Sequence, residues 1–441
     1  MGRATSTAFV KSCIGLREIV CIYSLRMMIF CSDLIMDKIK ILYFHHAGGK
    51  GGAPQSLLYL LQTLDRSIYE PTIACAFNQP HAKQFFEEHG FPPIHIPAAP
   101  FVHVWPSGWW PVYNPRALIR ILMWTFVRFP RSALALAKAL DEVKPDLVHL
   151  NSLVLAPLVW VVRRKRIPVV LHVRETAIRG SFGLRWRGLR WLAGRCADWT
   201  IYICKDNQDQ LTGPTQQSSV IYNPVPFKKF DRTLSGEDVR AELKIPPDAK
   251  VLFFPGGSSD LSKGIEPFLD ALAKIRKNRN DVVALIPKVE QLRSKGSHLY
   301  QNRIQKQMNR LQLEDAIVWV PFTDTVQRYF AAADVVVAPF VVPHFSRAVM
   351  EAGAMAKPVV GSRIGGVEEV IVDDVTGRLT VPGDAEDLAL QLSFILENPE
   401  RACQMGEAGF EQACSQFRAS VHGVAVADVY QRVFAKYRVM A

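Results

Sequence analysis

From Lys38 onward the chain alternates short apolar, β-branched runs with stretches whose apolar residues recur three and four apart. This is the rhythm of a doubly wound α/β protein. IKILYF at 39–44 predicts a buried strand, and Leu57, Leu60, Leu61 and Leu64 then fall at helical spacing. Further strands are expected over 72–77, 146–150, 169–173 and 199–203, which together make one Rossmann-like unit. A loop rich in Gly, Pro, Thr, Gln and Ser at 212–219, then 220–222 and the turn Asn223-Pro224, predicts a linker. A second series opens with VLFF at 251–254 and continues through 282–286, 317–320, 335–338 and 359–361. Val426, Val429, Tyr430, Val433 and Phe434 share one face of a closing helix over 424–439. The expected organisation is an extension over 1–35, one Rossmann-like domain over 36–222, a second over 223–423 and a terminal helix over 424–441. Two such domains in tandem create a cleft, where ligands meet the carboxyl ends of strands.

Length and composition agree with this reading, since 441 residues with 49% hydrophobic and 21% charged exceed one typical core. The formal charge of +12 implies attraction to something anionic, with nucleic acid, a membrane surface and phosphorylated substrates all compatible. The 8 cysteines include no Cys-x-x-Cys pair and no Cys/His group with zinc spacing, so reduced structural thiols are expected. Residues 1–35 carry apolar residues broken by Arg17, Glu18, Arg26 and Asp33. No uninterrupted run there approaches the roughly 20 residues of a membrane span, and no small-residue cleavage site follows the basic start. Met36 stands just before the first strand, and activity is expected to survive removal of 1–35.

Three segments carry candidate chemistry. Gly48-Gly49-Lys50-Gly51-Gly52-Ala53-Pro54 lies between a strand and a helix, as a phosphate loop or a tight turn would. It has neither the dinucleotide Gly-x-Gly-x-x-Gly spacing nor a Walker ending. Pro255-Gly256-Gly257-Ser258-Ser259-Asp260-Leu261-Ser262-Lys263-Gly264 also follows a strand and brings a lysine to a helix mouth, where ammonium and backbone donors suit a diphosphate. In HFSRAVMEAGAMAKP (344–358) a helix starting near Ser346 would turn free N–H groups toward phosphate. Glu351 lies ~7 Å further along that helix axis, placed for ribose hydroxyls or for a salt bridge.

In this order the pieces resemble family 4 of the retaining glycosyltransferases. GGAPQSLL (51–58) resembles its first glycine loop, NPVPF (223–227) its interdomain turn and GGSSDLSKG its diphosphate loop. HFSRAVMEAGAMAKPVVGS resembles its donor motif, and IGGVEEVI (364–371) with DDVTGRL (373–379) its final signature. The resemblance implies an α/β protein of the GT-B class, with two Rossmann-like domains facing across an interdomain cleft. The first domain would lie on the acceptor side and the second would bind the nucleotide sugar. It also implies that Glu351 holds the donor ribose and that Lys263 grips the departing diphosphate. Gly51, Gly52, Gly257, Ser258, Phe345, Ser346, Arg347, Gly365 and Gly366 complete the expected donor site. The chain departs from the family twice: Pro343 stands where the first glutamate of the Glu-x7-Glu pair is usual, and Ser258 where an arginine is usual. Arg347 is a candidate to replace that cation.

In PVVLHVRET (168–176), Arg174 occupies the place where many relatives carry a histidine near the sugar. His172 lies two residues earlier, so strand periodicity puts both on one face toward the cleft, with a core or salt-bridged role as the alternative for each. The resemblance implies a nucleotide diphosphate sugar donor, a glycan or lipid-linked acceptor, surface polysaccharide or lipopolysaccharide synthesis, and a cytoplasmic setting. No cofactor is expected, and no metal, because the chain has no Asp-x-Asp triplet. Trp105, Trp109, Trp110, Tyr113, Trp124, Phe126 and Phe129, with five arginines between Arg179 and Arg195 interleaved with Phe182, Trp186, Trp191 and Leu192, suit contact with the anionic inner face of the plasma membrane. No RNA-binding signature accompanies them, so nucleic acid is not expected. The alternatives are a nucleotide-sugar epimerase on the same fold and a non-catalytic nucleotide-sugar-binding protein.

Overall fold

The computed structural model describes residues 37–440 apart from 47–51, 77–79, 97–114, 116–118, 120–121, 177–182, 213–216, 258–260 and 289–294. The expected extension over 1–35, Gly51, Ser258, Trp105, Trp109, Trp110, Tyr113 and Phe182 therefore lie outside the described residues.

The first apolar series folds into strands β1 (Ile39–His45), β2 (Tyr69–Ala76), β3 (Ile94–Ile96), β4 (Leu147–Leu150), β5 (Val169–Val173), β6 (Trp199–Tyr202) and β7 (Ser218–Val220). They form a 7-stranded sheet in the order β3-β2-β1-β4-β5-β6-β7. Pairing is parallel, with Phe44 opposite Leu150 and Leu150 opposite Leu171. The second series gives β8 (Lys250–Phe253), β9 (Val282–Lys288), β10 (Ile317–Pro321), β11 (Val335–Ala338), β12 (Val359–Ser362) and β13 (Gly377–Thr380). These form a 6-stranded parallel sheet in the order β10-β9-β8-β11-β12-β13. The GT-B arrangement of two Rossmann-like units is thus present. Helices cover both faces of each sheet, so β4, β5 and β11 are buried at every position and need no polar alternation.

In both sheets the strand order reverses beside the first strand, between β1 and β4 and between β8 and β11. The strands on either side of such a point diverge at their carboxyl ends and leave a crevice. Helix α1 (Gly52–Thr63) starts beyond β1, α2 (Ile265–Arg276) beyond β8 and α3 (Arg347–Ala354) beyond β11, so each begins at a crevice. Gly264, immediately before α2, has φ +77°, and a Cβ there would stand 1.7 Å from the Pro339 carbonyl oxygen. Only glycine fits that close approach in that conformation.

Helix α4 (Ala419–Met440) returns the chain to the first sheet. It begins five residues before the expected 424, because its first turn holds His422 and Gly423 rather than the apolar spacing that marks the rest. Its buried face is the expected one, Val426, Val429, Tyr430 and Val433. A Cβ on Gly423 would lie 2.5 Å from Thr63 Oγ1, so α4 and α1 cross in close contact there. The Tyr430 and Tyr43 hydroxyls meet at 2.9 Å, joining the last helix to the first strand. Among the described residues no helix is long and apolar enough to cross a membrane.

Candidate functional site

The two crevices open into one cavity of about 570 Å3, walled by residues after β1, β5, β8, β10 and β11. Of the expected site residues it brings together Gly52, Arg174, Lys263, Phe345, Ser346, Arg347 and Glu351.

Arg174 follows the last residue of β5 and turns into the cavity. Its Nε donates to Asn151 Oδ1 at 2.7 Å, its Nη1 to Asn223 Oδ1 at 2.6 Å and its Nη2 to His172 Nδ1 at 3.3 Å. Asn151 directly follows β4, Asn223 lies in the linker turn and His172 lies within β5, so the guanidinium is fixed from three directions. Burial pushes it down to about 9, the nearby Glu175 carboxylate opposing that effect. Glu175 in turn accepts from Ser152 Oγ at 2.5 Å and from the Leu153 amide at 2.9 Å.

The expectation that His172 shares the cleft face with Arg174 is not met. His172 is fully buried behind Arg174 and does not line the cavity. Arg174 escapes the strand alternation because β5 ends at Val173, whereas His172 remains inside the sheet under α4. A guanidinium only donates, so His172 Nδ1 accepts and its proton sits on Nε2, which is buried without a partner. His149 Nε2, 3.2 Å from the same atom, must then be a donor. Its Nδ1 accepts from the Tyr430 hydroxyl at 2.8 Å, and Tyr430 accepts from Tyr43. Both imidazoles are thereby neutral, in agreement with burial and the Arg174 charge, which hold them well below the ordinary histidine value.

On the opposite wall, α3 has its first N–H groups at the cavity, with Ser346 in extended conformation before the first turn. Arg347 Nη2 donates to Glu351 Oε1 at 3.0 Å, and Nη1 crosses the cleft to Gln55 Oε1 on α1 at 2.9 Å. Gly52 stands against the same side chain, since a Cβ there would lie 3.2 Å from Arg347 Cδ. Burial raises the Glu351 carboxyl above the usual range, while Arg347 and then Lys229 act to lower it. Glu351 is thus both salt-bridged and part of the cavity wall, and Arg347 is engaged with that carboxylate rather than standing as a spare phosphate cation.

Lys263 ends the short turn Leu261–Lys263 that Gly264 pins against Pro339. Its ammonium is 2.9 Å from His344 Nε2 and 5.0 Å from the Phe340 ring centre. An ammonium only donates, so His344 accepts through Nε2, and its ring stacks on Phe340 at 4.7 Å.

Gly257, Gly365 and Gly366 do not line the cavity. Gly257 is buried in the β8 loop behind Gly256, which does line it. Gly365 packs behind Pro343, and Gly366 behind Phe345 and Cys204, so they support the wall from outside. The IGGVEEVI segment also joins the two halves. Glu369 accepts from the amides of Lys205 and Asp206, both at 2.7 Å, at the start of the first-half helix Lys205–Leu211. Asn151, Gln55, Glu175, Lys229 and His344 were not singled out by the sequence reading. Asn151 directly after a buried strand, and Asn223 in the linker turn, are the signals that point to the Arg174 clamp.

The profile of glycosyl transferases group 1 matches residues 236–412, and that of glycosyltransferase family 4 matches residues 50–229. The chain belongs to the family 4, group 1 glycosyltransferases. Among curated relatives of this chain, a D-inositol 3-phosphate glycosyltransferase of Catenulispora acidiphila is 30% identical over 49% of the chain and 51% of its own length. An uncharacterised glycosyltransferase of Methanocaldococcus jannaschii is 28% identical over 53% and 61%. The chain thus matches about half the length of these relatives. Among solved structures, Anabaena HepE in complex with UDP superposes with a TM-score of 0.74 at 20% identity, covering 89% of this chain and 100% of HepE. Sucrose-phosphate synthase from Thermosynechococcus elongatus gives 0.71 at 20% identity, over 90% and 100%. At these identities the likeness concerns the fold.

Proposed function

We propose that this chain transfers a sugar, with retention of anomeric configuration, from a nucleotide diphosphate sugar to a glycan or lipid-linked acceptor. The observation that carries this reading is the meeting of Lys263, the α3 N-terminus, the Arg347–Glu351 pair and Arg174 in one cavity at the switch points of both sheets. Glu351 accepts hydrogen bonds from ribose hydroxyls. Lys263 and the α3 amides meet the negative charge that grows on the diphosphate as the sugar–phosphate bond breaks. Arg174, held rigidly from the other half, faces the transferred sugar. Retention follows from the family resemblance, and HepE, solved with UDP-glucose, is a protein of this fold that holds such a donor. The fixed cations supply the charge that a metal supplies elsewhere, so transfer is proposed to proceed without one.

The test is to screen UDP-, GDP- and ADP-sugars with glycan and lipid-linked acceptors, reading nucleotide release and the anomeric configuration of the product. Release without acceptor favours an epimerase or hydrolase. Binding without turnover favours a non-catalytic role, and an inverted product overturns retention. Loss of transfer in chelator with recovery in manganese overturns metal independence.

The proposed setting is the anionic inner face of a membrane, in synthesis of surface polysaccharide or lipopolysaccharide. Phe126, Leu134, Trp160 and Trp191 are exposed, the Trp160 and Trp191 rings lie 5.8 Å apart, and Arg163 and Arg190 are close to them in sequence. Apolar tips beside arginines suit a headgroup layer. Flotation with vesicles should require anionic lipid, and indifference to lipid charge counts against this setting.

A further inference from the structure

The cations Arg174, Lys229, Lys263 and Arg347 line the cavity. Arg174 is bound to Asn151, Asn223 and His172, Arg347 to Gln55 and Glu351, and Lys263 to His344. Lys229 differs. It stands in NPVPFKKF, just after the linker turn, and its amide and that of Phe230 both donate to the Pro226 carbonyl, at 2.9 and 3.0 Å. The Phe230 ring is buried edge-on to Phe330 at 5.7 Å. This turn fixes the Lys229 backbone, while its ammonium, 5.7 Å from the Phe230 ring centre, has no hydrogen bond or ion pair with a described residue. Two carboxylates of the cavity are engaged elsewhere, Glu351 by Arg347 and Glu175 by Ser152 and Leu153. A cation on an anchored stem, in a ligand cavity and without a counter-charge of its own, suits an anionic group that arrives with the ligand.

We propose that Lys229 is a further donor-binding residue, whose ammonium pairs with the phosphate adjoining the ribose while Lys263 holds the far phosphate of a nucleoside diphosphate. The proposal rests on the donor site described above. Lys229 lines the same cavity as Glu351, the residue assigned above to the ribose, and its charge acts on that carboxyl. It also supplies the second cation that Ser258 does not provide and that Arg347, tied to both halves, does not spare.

The experiment is titration calorimetry on the full chain with UDP, GDP and ADP. The diphosphate that binds, its monophosphate and its nucleoside are then measured against Lys229→Met and Lys229→Arg. Lys229→Met keeps the apolar stem and removes a group with no hydrogen bond or ion pair, so its thermal midpoint should stay close to that of the unaltered protein. Its affinity for the diphosphate and for the monophosphate should fall about tenfold, with nucleoside affinity unchanged. Lys229→Arg should stay within about threefold of the unaltered protein. Unchanged diphosphate affinity in Lys229→Met overturns the proposal. An equal loss for the nucleoside also overturns it, since Lys229 would then act only through Glu351. A loss confined to the diphosphate overturns the assignment to the ribose-side phosphate. If the unaltered protein binds none of the nucleotides, the donor-site reading falls and this inference with it, whereas tight binding insensitive to Lys229→Met removes the inference alone.

Discussion

Lowering the pH should destabilise this protein before its carboxylates titrate, because three buried histidines are held neutral. His149 and His172 lie in the Tyr43–Tyr430–His149–His172 chain, and His422 donates from Nδ1 to the Tyr222 carbonyl at 2.8 Å. Burial and the Arg174 charge depress all three, His422 to about 3. The unfolded chain takes up protons near the ordinary histidine value of about 6.5. For a depressed group the stabilisation is complete above that value and is lost as pH falls below it. One unit below, each neutral histidine costs about 1.4 kcal/mol relative to neutral pH, so three cost roughly 4 kcal/mol by about pH 5.5. Glu351, raised by burial, works in the opposite sense from a single site. Urea unfolding followed by tryptophan fluorescence at roughly pH 7.5 and 5.5 measures the difference. In His422→Gln, whose amide can still donate to Tyr222, the loss should shrink by about 1.4 kcal/mol. A total loss below about 1 kcal/mol, or an undiminished loss in His422→Gln, refutes the reasoning.

The proposed donor site divides its work between two residues. Lys263→Ala should lower turnover strongly, since charge grows on the diphosphate only as the bond breaks, whereas Glu351→Gln should weaken donor binding about ten- to hundred-fold with turnover largely kept; donor saturation curves separate the two effects. Gly264→Ala should cost about 2 kcal/mol or more, read as a lower thermal midpoint, because it combines a left-handed backbone with a clash against Pro339. Arg174→Lys should impair transfer at unchanged nucleotide affinity, since an ammonium cannot meet Asn151, Asn223 and His172 together; equal activity of the two proteins sinks the clamp. A chain beginning at Met36 is proposed to transfer sugar as the full chain does, and an inactive or unfolded product rejects that.

The fold was legible where burial on both faces made continuous apolar runs. β5 and β11 were read with the bounds the structure gives, Val169–Val173 and Val335–Ala338. The sequence reading passed over β3, β7 and β13, taking β7 for part of a linker, because Ile94–Ile96 and Ser218–Val220 are only three residues long and Gly377–Thr380 opens with glycine and arginine. Lys263, Arg347 and Glu351 were visible because each lies in a local motif next to a helix start. His172 was misplaced for the opposite reason: its surroundings are made by α4, and no periodicity within β5 reports a helix 258 residues further on at Tyr430. Gly365 and Gly366 show a similar limit, since a signature glycine can serve the back of a wall as readily as its face.

The return of α4 to the first sheet also constrains how the chain is made. Tyr43 and Tyr430 are separated by 387 residues, yet their hydroxyls share one hydrogen bond in the interior of the first half. During synthesis β1, with β4 and β5 beside it in the sheet order β1-β4-β5, leaves the ribosome long before the helix that completes its packing. Until then the surface later covered by Val426, Val429, Tyr430 and Val433 is open to water, and His149 has no tyrosine to bind. The packing of the first half is therefore complete only once the second half and α4 have been made, which leaves apolar surface of the first sheet uncovered in the meantime.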